Sequence, residues 1–400
     1  MSFYKFAILF YGKGARIYDR KIWSYGVKIM KIVIAIDSFK GSLSSIEAGQ
    51  AITEGIRKAI PEAEVYVSPL ADGGEGTTEA IVSATGGEIE SIPVHNPLAD
   101  EIIASYGIIS DSKTAIIEMA SAAGLPLIPV EQRNPLYTTT YGVGEMIGDA
   151  IDKGCRTFII GLGGSATNDG GVGMLQALGF EFLDSEGNSI TFGAEGLSDL
   201  AEIRTENAMA ELSECKFYIA CDVENPLCGE KGAAAEDVIK MDGWLKKYAE
   251  LTKTVRPDSN PDFPGSGAAG GMGFAFLSYL NSDLKSGVQL VIKETKLEEH
   301  IKNADIVVTG EGRLDGQTAM GKAPIGVSKI AKKYGKKVIA FAGCVTDETT
   351  ECNKHGIDAF FPILRTPCTV DEAMEYDNAY KNLTNTAEQV FRLINMTNGD

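Results

Sequence analysis

The 400-residue chain has only three histidines, His95, His300 and His355, and none pairs with another at metal-ligand spacing. A zinc site and a histidine-centred triad both need imidazoles placed with partners, so neither chemistry is expected. Its seven cysteines are odd in number and scattered, with no C-x-x-C pair. They read as reduced thiols in a cytoplasmic protein, not as a disulfide framework. Basic side chains are scarce as well: 37 Lys and Arg against 55 Asp and Glu leave a net charge of -18. Phosphate backbones select basic faces, which argues against nucleic acid as a partner. An anionic small molecule would then need local positive charge or Mg²⁺. No apolar run approaches the length of a membrane span, so no membrane partner is expected.

Glycine, by contrast, is plentiful, with 45 residues. The densest stretch is Gly161-Leu162-Gly163-Gly164-Ser165-Ala166-Thr167-Asn168-Asp169-Gly170-Gly171-Val172-Gly173, directly after the apolar run Arg156 to Ile160. Glycines permit positive φ and close backbone approach, so successive N–H groups can converge on an anion. A helix starting behind them adds partial positive charge. The pattern predicts a phosphate-handling loop.

Residues 1–30 carry Lys5, Lys13, Arg16, Arg20, Lys21 and Lys28 against Asp19 alone, and their apolar part is too short for a signal peptide. They read as an extension outside the core, with Met30 standing just before a strand. Lys31 to Asp37 is a continuous apolar run of the kind buried on both faces of a parallel sheet. A helix follows from Ser44 to Ile60 with a Ser44-x-x-Glu47 capping box, then a strand at Glu64 to Ser68. Strands at Glu88–Val94, Glu101–Ile109 and Thr114–Met119 are joined by turn signals and predict a meander. From Asp305 parallel α/β texture returns. These patterns predict an α/β protein of two domains: a discontinuous Rossmann-like parallel-sheet domain, residues 31–80 plus 290–400, and an inserted mixed α/β domain, 81–289.

Asp37, Asp72, Asp222 and Glu311 each stand just after a strand. In open parallel sheets that end faces the ligand crevice, where carboxylates suit Mg²⁺ and a catalytic base. Lys40 and Ser42 occupy the first strand-to-helix turn. Gly316 to Ala323 resembles a P-loop but has Ala323 where a Mg²⁺-binding hydroxyl belongs. Gly265-Ser266-Gly267-Ala268-Ala269-Gly270 matches G-x-G-x-x-G without the preceding strand that a dinucleotide fingerprint needs. Thr138-Thr139-Thr140 before a helix reads as a plain cap cluster.

Six segments occur in the order found in one family: Asp37 to Ser42, Ala71 to Thr77, Ile117 to Ala120, Gly163 to Gly171, Cys221 to Leu227 and Thr309 to Asp315. They resemble the glycerate kinase family of the bacterial type I. The resemblance implies a two-domain enzyme, with its active site in the cleft between the domains, that phosphorylates D-glycerate with ATP and Mg²⁺, to 2- or 3-phosphoglycerate. Carried onto this chain, Asp169, Lys40 and Asp72 become the catalytic candidates, with Asp169 as the base. Ser42, Gly163, Gly164, Ser165, Ala166, Thr167, Asn168, Gly170, Arg313 and Lys322 would bind phosphate or substrate, and Asp222 and Glu311 would hold Mg²⁺. Two departures stand out. The family's Phe-Gly-Pro-Gln-Lys-Gly segment is absent after Gly229-Glu230-Lys231-Gly232, and Gly316 replaces a usual Ser. A kinase of another small hydroxy acid, or a non-catalytic binding protein of the same fold, are the rival readings.

Overall fold

The computed structural model describes residues 29–232 and 238–397. The basic extension therefore lies outside the described residues except at its end, as does the start of the junction where the Phe-Gly-Pro-Gln-Lys-Gly segment is missing. The strands in chain order are β1 (Lys31–Ile34), β2 (Glu64–Val67), β3 (Glu88–His95), β4 (Glu101–Ile109), β5 (Thr114–Glu118), β6 (Thr157–Gly161), β7 (Glu181–Leu183), β8 (Glu202–Arg204), β9 (Lys216–Ala220), β10 (Ser282–Lys285), β11 (Ile306–Leu314), β12 (Lys337–Val345) and β13 (Ala359–Pro362).

They build a five-stranded sheet in the order β13-β12-β11-β1-β2 and a six-stranded sheet in the order β10-β9-β6-β5-β4-β3, with β7 and β8 pairing separately. The first sheet is parallel throughout. In the second, β10, β9, β6 and β5 are parallel while β4 and β3 complete an antiparallel meander. The apolar runs predicted the buried strands well because a parallel strand is covered on both faces. The Ser44–Glu47 capping box forms as read, with the Glu47 amide donating to Ser44 Oγ and the Ser44 amide donating to Glu47.

The expected boundaries at 80 and 290 fall within helices that link the two sheets. The chain crosses from the first sheet to the second between β2 and β3, and returns between β10 and β11. Each crossing contains one of these helices, Thr77–Thr85 and Gly287–Glu294. Ile81, Val288, Leu290 and Val291 from these helices share one buried cluster with Val33 and Val307 of the first sheet and Ile116 and Ile159 of the second. The two sheets thus share an apolar core behind the site. Among the described residues, no helix is long and apolar enough to cross a membrane.

Candidate active site

In the five-stranded sheet the chain turns one way from β1 to β2 and the other way from β11 to β13. The ligand crevice of such a sheet lies at the carboxyl ends of its strands, where the order reverses. Here that point lies between β1 and β11, and it is where Asp37 and Glu311 stand: the Asp37 amide donates to Gly310 O at 3.0 Å. Asp37 is 6% exposed. Burial, and then the facing Asp72 carboxylate, push its carboxyl up to about 7 against the opposing pull of the Ser38 amide and Lys40. Glu311 also lies above the usual carboxylate range through burial, although Thr318 Oγ1 donates to it at 2.6 Å and Lys322 opposes the rise.

Lys40 reaches Asp72 at 3.5 Å and is raised chiefly by that carboxylate. A cavity of about 450 Å³ opens beside this group and is lined by Asp37, Lys40, Ser42, Glu311, Arg313 and Lys322, among others. The structure therefore brings together five of the expected site residues, Lys40, Ser42, Glu311, Arg313 and Lys322, with Asp72 touching the edge. Ser42 Oγ is buried with no partner among the described residues. Arg313 pairs with Asp315 at 3.3 Å, and Asp315 caps the short helix Gly316–Ala319. The P-loop resemblance is thereby resolved: Gly316 begins a capped helix, and Lys322 precedes the helix Ala323–Lys333.

The Asp72-Gly73-Gly74 turn joins this group to the second sheet. A Cβ on Gly161 would lie 2.3 Å from Gly73 O, and one on Gly163 would lie 2.7 Å from Gly74 Cα. Gly163 does not need a positive φ; it needs the absence of a side chain. Gly163→Val is expected to cost roughly 1–3 kcal/mol of stability, read from a urea melt, because backbone is what the new side chain meets. Asp222 follows β9 on the same flank. It is exposed on one side and raised by burial on the other, with Ser286 hydrogen-bonded to it and Asp72 nearby.

Several amides of the glycine-rich loop are bonded within the fold. Its amides at Gly163, Ala166, Thr167 and Gly170 already donate to Gly73 O, Ala123 O, Ser165 Oγ and Gly270 O. Gly164, Ser165, Asn168 and Asp169 keep amides without a partner among the described residues, along with the buried Oδ1 of Asn168.

Asp169, expected as the base, stands apart from this cavity. It is 1% exposed, and it does not line the cavity beside Asp37. Its Oδ2 accepts from the Thr140 amide at 2.8 Å, Thr140 Oγ1 at 2.8 Å and the Gly173 amide at 3.2 Å, while Oδ1 accepts from the Gly171 amide at 3.0 Å. A carboxylate so occupied anchors its loop. The Thr138–Thr140 cluster, read as a cap, is the other half of that anchor. Thr138 Oγ1 donates to Ala166 O, and Thr140 makes no side-chain cap. The Gly265–Gly270 run packs behind the same loop, where a Cβ on Gly270 would overlap Thr167 O.

Magnesium was expected on Asp222 and Glu311. They stand on opposite flanks of Asp72, and among the described residues no three His, Cys, Asp or Glu side chains converge on a metal position. A preformed cage is therefore absent from the described residues. Mg²⁺ bound through a nucleotide needs only one or two carboxylates besides phosphate oxygens and water, and the hard oxygen donors here fit that mode.

Comparison with known proteins decides the family. The family model described as glycerate kinase family matches residues 32–395. The chain belongs to the glycerate kinase family. It is 46% identical over 371 residues to a glycerate 2-kinase of Escherichia coli (strain K12), covering 90% of this chain and 97% of that protein. A glycerate kinase of Haemophilus influenzae is 45% identical over 91% of this chain and 99% of its own. A crystal structure from Salmonella typhimurium LT2, described as glycerate kinase 2, superposes with a TM-score of 0.83 at 44% identity, covering 92% of this chain and 99% of that one. The glycerate kinase relatives make this chain an enzyme, a kinase of the same family, and the shared fold is mixed α/β.

Proposed function

We propose that this enzyme transfers the γ-phosphoryl group of ATP to the 2-hydroxyl of D-glycerate in the cytoplasm, with Mg²⁺. The observation that carries the reading is Lys40 set among Asp37, Asp72 and Glu311 at the switch point of the parallel sheet. Asp37, poised near neutrality, takes the proton from the attacking hydroxyl, a role for which a carboxyl near 7 is suited. Lys40 balances the charge of the transferred phosphoryl group, and Ser42 Oγ and Arg313 supply donors to phosphate or carboxylate oxygens. Asp72 together with either Asp222 or Glu311 would hold Mg²⁺, which would supply charge neutralisation for the phosphates. The free amides at Gly164, Ser165 and Asn168 offer the complementary wall. Positioning and charge neutralisation account for most of the rate, as phosphoryl transfer demands little covalent chemistry from the protein.

The product is read directly by ³¹P NMR of ATP and D-glycerate incubated with the enzyme. A 2-phosphoglycerate resonance is expected; 3-phosphoglycerate overturns the regiochemistry, and no product overturns the substrate. Lys40→Gln is expected to lower kcat by about 10²-fold or more in a coupled ADP-release assay, as loss of one preorganised charge contact does elsewhere. Turnover within threefold of the native enzyme would remove Lys40 from the chemistry.

A further inference from the structure

The cavity beside Asp37 has two unlike kinds of lining, the charged Lys40, Glu311 and Lys322 and the apolar Phe39, Ile363, Leu364, Val370 and Met374. Three of those apolar side chains are open to solvent although they line a concave site: Leu364 is 40% exposed, Val370 71% and Met374 40%. They lie on and just before the short helix Val370–Met374. That helix also abuts the Lys40–Ser42 turn, since a Cβ on Gly41 would lie 2.7 Å from Met374 Cε. Apolar surface and charged turn are therefore continuous.

Of the two substrates, D-glycerate bears oxygen on every carbon and has no apolar face to offer this wall. It would also fill little of a cavity of about 450 Å³. ATP has both kinds of surface in one molecule. Resting on the kinase reading above, we infer that the apolar lining, between Phe39 and the 363–374 segment, receives the purine ring of the nucleotide. The ring's faces meet Val370 and Met374, a thioether being well suited to an aromatic face. The triphosphate then runs toward Lys40 and Lys322, and D-glycerate is left to the side of Asp37 and Asp72 that faces the tip of the glycine-rich loop.

Two native thiols report on this arrangement without any substitution. Cys344 and Cys368 both line the cavity and are exposed, while Cys228 lies outside it. Alkylation by iodoacetamide, followed site by site by mass spectrometry, is expected to slow about tenfold at Cys344 and Cys368 when ADP is present at ten times its Kd. The rate at Cys228 should not change, and D-glycerate alone should protect neither cavity thiol. Unchanged rates at both cavity thiols, with ADP binding verified by calorimetry, overturn the inference; so does equal protection by D-glycerate. Val370→Asp, at a solvent-facing position that leaves the fold intact, is expected to raise KM for ATP about tenfold with KM for D-glycerate nearly unchanged. The reverse split overturns the assignment. Protection by ADP in an enzyme that transfers no phosphate to D-glycerate would sustain the purine site and refute the kinase reading, so the two failures are distinct.

Discussion

Asp37→Asn is expected to lose about 10²–10⁴-fold in kcat, the usual contribution of a positioned general base, and to be more stable than the native protein at pH 8. Both effects come from one cause. In the fold this carboxyl is raised from the ordinary 3.8 to about 7, mainly by burial and then by Asp72. Between those two values the folded protein holds a proton that the unfolded chain has released. Stability conferred by that proton falls as pH rises through the window, and above about 7 the fold bears the whole cost of a buried charge. A shift of about three pKa steps corresponds to roughly 4 kcal/mol at most. Asparagine keeps the oxygen that accepts the Ser38 amide, 2.7 Å away in the native protein, and cannot ionise. Its advantage should therefore be present at pH 8 and vanish near pH 4. Thermal scans of both proteins at the two pH values check the stability half, and ADP release checks the activity half. For the native enzyme, kcat/KM should climb as pH rises through about 7, because the base must be ionised to act. A variant that is no more stable at pH 8, or that turns over within threefold of native, overturns the assignment.

The sequence placed Asp37 at the end of a strand but did not distinguish it from Asp72, Asp222 and Glu311. Strand-end position is a local property, read from the apolar run Lys31 to Ile36. What separates the four carboxylates is tertiary. The crossing order of the sheet puts β11 beside β1, so Gly310 and Glu311 meet Asp37 across some 270 residues of chain. Helix caps such as Ser44–Glu47 were legible for the opposite reason, since both partners lie within one turn. The glycine-rich loop shows the boundary between the two. Its position after β6 could be read from the run itself, but its donors could not, because Gly73, Ala123 and Gly270 claim them from distant segments. Thr140 looks like a cap when seen alone. Its partner, Asp169, is 29 residues away, and no periodicity links the two. Likewise, helices Thr77–Thr85 and Gly287–Glu294 carry the chain between sheets while packing into a shared core, a tertiary arrangement that sequence texture does not signal.

Asp169→Ala is expected to destabilise the fold by about 3–5 kcal/mol, the range seen when a buried, fully paired charge partner is removed. Four donor contacts converge on this carboxylate. Alanine would leave the amides of Thr140, Gly171 and Gly173 in a dry interior with nothing to replace the lost acceptors, each at a cost of about 1–3 kcal/mol. Burial raises this carboxyl while the Thr140, Gly171 and Gly173 contacts oppose the rise, so relief of a buried charge offsets part of that loss. Thr140→Val removes one donor to the same oxygen, and also the acceptor used by the Met174 amide. It should destabilise in the same direction by a smaller amount. Because both changes dismantle one network, their effects on a urea melt should fall short of additive in a double-mutant cycle. A catalytic base makes the opposite pattern: Asp169→Ala would be inactive yet melt like the native protein, and Thr140→Val would add to it independently. The coupling energy between positions 140 and 169 thus decides whether the most conspicuous acid of the glycine-rich loop acts on substrate or holds the loop to which Gly164, Ser165 and Asn168 belong.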